Sequence, residues 1–168
     1  MEYFYQYSLV AYGCHVSNKL EEGFLEYLRS EVEKMIGVPN RRIRFYTDQG
    51  IIQDIAPSQG RGYDRRYTEK DVLIFAVVNE LSRVGVSLAQ SKFIIHAVLQ
   101  DYEFVFNVDE YLNENFFPLT LVRFFEEKIV ISTSLFGNKT DLIGMIDRDP
   151  ITTVINYSKI FKMIKWSD

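Results

Sequence analysis

Residues 68–98 encode two consecutive capped helices, and they constrain the fold more than any other part of the chain. Thr68 stands three residues before Asp71, the spacing of a capping box, in which the hydroxyl and the carboxylate satisfy each other's free backbone N–H groups. Val72, Leu73, Phe75, Ala76, Val78, Leu81 and Val84 then recur at helical spacing, so a helix runs from about Glu69 to Arg83 with these residues buried. Gly85 ends it. Ser87 opens a second helix whose apolar side is Leu88, Phe93, Ile94, Ala97 and Val98.

The flanking segments carry weaker but readable patterns. Residues 3–12 alternate, with Tyr3, Tyr5, Tyr7 and Leu9 on one side, as in a strand. Leu20, Phe24, Leu25, Leu28, Val32, Met35 and Ile36 share a helical face, interrupted at Gly23. Gly37–Asn40 is a turn, and Arg41–Asp48 is a short helix stopped by Gly50. Residues 51–67 carry Pro57, Gly60 and Gly62 and read as a loop or small hairpin. Leu119–Phe125 and Lys128–Leu135 are β-rich runs around Glu126-Glu127, the pattern of a hairpin. Leu142–Met145 reads as a third short strand. Asp149-Pro150 starts a final helix, Pro150–Lys165, with Ile151, Val154, Ile155, Ile160, Phe161 and Ile164 on its apolar side. No internal repeat is visible. The fold class expected is α+β, divided as residues 1–26, 27–100 and 101–168.

Composition narrows the class. With 47% apolar and 25% charged residues among 168, the chain is globular, and 15% aromatics allow a large core. The single cysteine, Cys14, makes no intrachain disulfide and no thiolate cluster. Cys14, His15 and His96 are too scattered for a metal site, and no cofactor is expected. No apolar run is long enough to span a membrane, and residues 1–12 lack the basic start of a signal peptide, so a cytoplasmic setting is expected. Net charge is -4, unevenly spread. Residues 27–100 hold eleven Lys/Arg against eight Asp/Glu, a local excess of three positive charges between acidic flanks.

That basic centre contains the most informative constellation. Arg41, Arg42, Arg44 and Tyr46 fall on one short helix, with Ile43 and Phe45 as its inward residues. A buried helix would not tolerate three guanidiniums, because each costs several kcal/mol (roughly) to desolvate without a partner. Arg61, Arg65 and Arg66 follow with Tyr63 among them, beside glycines that permit close backbone approach. Two roles are open: contact with phosphates and guanine edges, or a solvated face paired with Asp48, Asp64 and Glu69.

Three segments carry a resemblance. GVPNRRIRFYTDQGII (37–52), GYDRRYTEKDVLIF (62–75) and VNELSRVGVSL (78–88), in this order and spacing, resemble the DNA-binding domain of MerR-family transcription regulators between about Tyr27 and Val98. The resemblance implies a winged helix-turn-helix in the centre; the flanking patterns add a small C-terminal α+β domain packed with or linked to it, with the N-terminal strand either joining that domain or standing as a separate extension. It implies sequence-specific binding of double-stranded DNA by a bacterial or phage regulator, with no catalytic residues. Arg41, Arg42, Arg44 and Tyr46 would act from the recognition helix, and Arg61, Tyr63, Arg65 and Arg66 from the wing. A homodimer is expected, joined through residues 87–113 and part of the C-terminal domain. The chain departs from the family pattern at four points. Pro39-Asn40 stands where Ser or Thr usually opens the recognition helix, which leaves Asn40 as the cap. Asp64 is an extra wing residue. No long dimerisation helix follows the domain, and no cysteines stand where metal-sensing members have them. A protein-interaction adaptor on the same scaffold, without operator binding, is the alternative reading.

The flanks speak mainly of structure. Tyr3, Tyr5, Tyr7, Phe104, Phe106, Tyr111, Phe116, Phe117, Phe124 and Phe125 are core residues or, alternatively, the lining of a site for an apolar small-molecule or protein effector. Asp109-Glu110 and Glu126-Glu127 read as turn and surface positions.

Overall fold

The computed structural model of the protein describes residues 25–52, 65–112, 118–125, 128–135 and 152–166. Its first element is a three-residue strand, β1 (Glu26–Leu28), followed directly by α1 (Arg29–Ile36). The helical face expected from Leu20 onward is thus a strand at Tyr27. The competing signal is pairing: β1 runs antiparallel to β2 (Arg66–Thr68), with Tyr27 opposite Tyr67. Residues 66–68, expected in a loop or a local hairpin, find their partner about forty positions upstream.

Helix α1 ends at Gly37, whose φ of +68° is the left-handed conformation favoured at helix ends, and its N–H bonds the Glu33 carbonyl at 2.9 Å. Helix α2 (Asn40–Asp48) begins three residues on. Asn40 does not cap it. Pro39 holds the cap position, and its carbonyl accepts from Arg42 and Ile43 at 2.8 and 3.2 Å. Gly50, also at φ +68°, turns the chain out of α2.

The capping box at Thr68 forms as its spacing predicts. Asp71 N–H donates to Thr68 Oγ1 at 3.3 Å, and Thr68 N–H donates to Asp71 Oδ2 at 2.9 Å. Helix α3 (Glu69–Arg83) buries every residue from Val72 to Val78, and Leu81, so it is the central helix around which the rest packs. Val84, expected inside, is exposed at the turn that follows. Ser87 caps α4 (Leu88–Asp101) through Gln90 N–H.

After two 3-10 turns (Glu103–Phe106 and Val108–Leu112) comes an antiparallel sheet. Its strands are β3 (Pro118–Phe125), β4 (Lys128–Leu135) and β5 (Thr152–Asn156), in the order β4-β3-β5. The hairpin expected from the sequence is β3–β4, in register from Pro118 opposite Leu135 to Phe125 opposite Lys128. The final helix is shorter than expected. Residues 152–156 are a strand, because the β-branched run Thr-Thr-Val-Ile pairs along the open edge of β3. Asn156 then caps α5 (Tyr157–Met163) by accepting from Lys159 N–H at 2.9 Å. The proposed strand at Leu142–Met145 and the residues 1–24 lie outside the described residues.

The C-terminal third packs directly on the helical part. Val105, Phe106, Tyr111, Val122, Ile155, Tyr157, Ile160 and Ile164 belong to the same buried cluster as Val32, Ile43, Phe75 and Ile94. Lys165 N–H also bonds the Met35 carbonyl at 3.0 Å. Phe106 stands edge-on to Tyr157, and Tyr111 stacks on Phe161 at 4.8 Å. Of the aromatics considered for an effector site, Phe106 and Tyr111 are therefore core, Phe104 is partly exposed, and Tyr3, Tyr5, Tyr7, Phe116 and Phe117 lie outside the described residues.

Candidate nucleic-acid interface

Helix α2 has two faces, and rotation about its axis separates them. Each residue advances about 100°. Ile43, Tyr46 and Thr47 point inward and are buried. Arg41, Arg44, Phe45 and Asp48 form the opposite stripe, about 100° wide, and all four are exposed. Arg42 is exposed on the flank and donates to Asn79 Oδ1 of α3 at 3.3 Å.

This face corrects two sequence expectations. Tyr46, expected at the interface, is only 4% exposed and lies roughly parallel to Phe75 with 6.3 Å between ring centres. Burial raises its phenol above the ordinary value of 10, and the nearby Arg42 charge opposes that only in part. Its ring is therefore a core element. Phe45, expected inside, is instead 50% exposed. The reason is geometric: Phe45 is two residues from Ile43, which places it about 200° around the helix from the core.

Phe75 organises both parts of the surface. On one side it meets Tyr46 of α2, and on the other it meets Tyr67 of β2, edge-on at 5.4 Å. A hydrogen bond closes the same link, since Thr47 Oγ1 and the Tyr67 hydroxyl are 3.2 Å apart. Thr47 also donates to the Ile43 carbonyl at 2.9 Å. Helix α2 and strand β2 are thus fixed to one another by buried contacts.

The wing arginines meet acids. Arg65 lies 3.8 Å from Asp48, which is also 3.6 Å from Arg44, so one carboxylate bridges helix and wing. Arg66 lies 3.8 Å from Glu26 across the β1–β2 ladder. Such exposed pairs contribute about 0–1 kcal/mol, so a phosphate can displace either carboxylate at small cost. Arg41 has no ion pair among the described residues. Arg61 and Tyr63 lie outside the described residues.

Sequence reasoning missed the clamp at the exit of α2. Lys92 Nζ donates to the Gln49 carbonyl at 2.8 Å, and His96 Nε2 is 3.3 Å from the Ile51 carbonyl. Both project from α4 one turn apart. A cation at a helix C-terminus is favourable, because the last carbonyls there lack intrahelical partners. Only their four-residue spacing hinted at a shared face, and nothing in the sequence said what that face would meet.

The architecture is that of a helix-turn-helix: a three-residue turn between α1 and α2, an arginine-bearing second helix, a two-stranded β1–β2 ladder beside it, and a buried helix behind. Residues 27–98 match the family model described as MerR HTH family regulatory protein. The match supports a MerR-type helix-turn-helix DNA-binding domain over these residues and, generally, a DNA-binding transcription regulator. The match covers less than half of the chain. No curated protein matches it. Among the described residues no helix is long and apolar enough to cross a membrane.

Proposed function

We propose that this protein is a cytoplasmic, homodimeric regulator that binds a specific duplex DNA sequence. Arg41 and Arg44 read base edges, while Arg42, Arg65 and Arg66 engage phosphates. One observation carries this reading: a single face of a short helix presents Arg41 and Arg44 to solvent, with Arg42 on its flank, and the wing base is bound to that helix through Thr47 and Tyr67. Guanidinium forks match guanine O6/N7 in the major groove, and a strand beside such a helix is in reach of backbone phosphates. Two copies are needed because one short helix reads few bases, and two-fold symmetry engages two half-sites. The copies associate through α4 and the segment after it. Light scattering of the full chain should report a dimer. A monomer at every concentration, with and without duplex, contradicts the regulator reading.

The deciding experiment measures Arg44→Ala and Arg65→Ala on selected and random duplexes over a salt series. Arg44→Ala should cost about 1–3 kcal/mol on the selected duplex and flatten discrimination. Arg65→Ala should weaken all duplexes alike and reduce the magnitude of the salt slope by about one unit. Parental binding by both variants would leave these arginines as a solvated face. The adaptor reading would then stand, favoured by the carboxylates already beside Arg44, Arg65 and Arg66.

A further inference from the structure

The exposed stripe of α2 contains one apolar side chain, and its position assigns it a role. Phe45 is half exposed on the face opposite the core. It lies one turn beyond Arg41 on the same side of the helix, with Arg44 and Asp48 beside it. Its ring lies 6.4 Å from that of its neighbour Tyr46, leaves half of its surface to solvent, and can bond neither a phosphate nor a base edge, since it has no donor or acceptor. A protein partner seated there would have to desolvate Arg41 and Arg44 together with the ring, which is unfavourable without matched acids. Duplex DNA offers an apolar group in the groove that arginines read: the C5-methyl of thymine.

We propose that Phe45 is a specificity-determining residue that packs on the thymine methyl group of a base pair next to the one read by Arg41 or Arg44. The proposal rests on the DNA-reading function above and names a component of the sequence it recognises. A contacted thymine is preferred over cytosine, whose C5 carries no methyl. Phe45 is a contact residue only, and no bond is made or broken.

The test separates the methyl group from everything else in the base pair. The full-length protein is used to select a duplex from a library with a randomised core. The selected duplex is then remade with deoxyuridine at single thymine positions, which removes the methyl and keeps every hydrogen-bonding edge. The parent should lose about fourfold in affinity at one thymine of each half-site, the worth of one buried methyl-sized group. Phe45→Ala should lose a similar factor on the thymine duplex and bind the thymine and deoxyuridine forms equally. Phe45→Leu should keep part of the methyl dependence. Because the side chain points away from the core, circular dichroism should show an unchanged fold.

Other results overturn the assignment. If the parent ignores every deoxyuridine replacement, or if Phe45→Ala retains the parental penalty, Phe45 does not read a methyl group. Arg44→Ala still losing affinity in the same assay then leaves the DNA-reading function standing. If the parent enriches no sequence, both fail together. If Phe45→Ala turns a dimer into a monomer, the ring belongs to a protein interface.

Discussion

The helix-turn-helix and the C-terminal sheet each bury a tyrosine hydroxyl against threonine. In the first, Tyr67 of β2 meets Thr47 of α2 at 3.2 Å. In the second, Tyr157 of α5 meets Thr120 of β3 at 3.0 Å, and Thr120 meets Thr133 of β4 at 2.7 Å. The C-terminal group rests on strand register, since Thr120 stands directly opposite Thr133. Both of its threonines are already held by the β3–β4 ladder, so Tyr157 adds a helix to a sheet that is otherwise in place. The Thr47–Tyr67 bond joins a helix and a strand that no ladder connects. The same chemistry therefore supports a core in one region and, in the other, fixes helix α2 relative to strand β2, the elements that carry Arg44 and Arg66.

The largest expected effect breaks the C-terminal side of this comparison. Tyr157 is fully buried, and burial raises its hydroxyl above the ordinary phenol value while the Thr120 bond opposes the rise. Tyr157→Ala should destabilise the protein by about 3–5 kcal/mol, the usual range for emptying a buried aromatic site. Because one core runs through both regions, denaturation followed by Trp166 fluorescence and by helical circular dichroism should remain coincident. An early fluorescence transition alone would show that the sheet unfolds by itself.

Thr47→Val tests the other side. It keeps the shape, removes the Tyr67 partner, and should cost about 1–3 kcal/mol in denaturant unfolding. It should also lower affinity for the selected duplex, because helix and wing lose their buried link. Tyr157→Phe leaves Thr120 bonded to Thr133 and should cost about 0.5–1.5 kcal/mol without changing DNA affinity. Equal effects of the two substitutions on binding would erase the distinction drawn here.

Thr68→Ala removes the α3 cap next to Tyr67 and should cost about 1 kcal/mol in thermal or denaturant unfolding.

The smallest effect concerns Glu69, one residue on. Burial raises its carboxyl above the ordinary 4.5, the Asp109 charge adds to this, and the Tyr27 hydroxyl at 3.4 Å opposes it. The folded protein therefore holds this proton more tightly than the unfolded chain. The stability linked to it is present below about the ordinary value and is lost as pH rises through the raised one. Glu69→Gln should flatten that fall, by little because the group is largely solvent-screened. Stability curves of parent and variant on either side of pH 4.5 check it.

Some of this molecule was determined by the sequence alone, namely whatever is decided within a few residues. Thr68 with Asp71, and Ser87 with Gln90, close their bonds across three positions, so their caps were legible or nearly so. The guanidiniums at 41, 42 and 44 had to be exposed wherever the helix lay, because the core could not take them. The order and spacing of three such segments sufficed to point to the MerR-type domain that the family model matches over residues 27–98. Other features waited for partners remote in the chain. Only the tertiary structure decided that residues 26–28 are a strand, since their hydrogen bonds belong to residues 66–68. The edge of β3 likewise turned residues 152–156 from an expected helix into a strand. Tyr46 and Phe45 are adjacent aromatics with similar hydrophobic bodies, and composition does not tell them apart. Phe75, further down the chain on α3, chose Tyr46 for the core and left Phe45 facing outward, because a helix fixed at Ile43 can turn only one of them toward it.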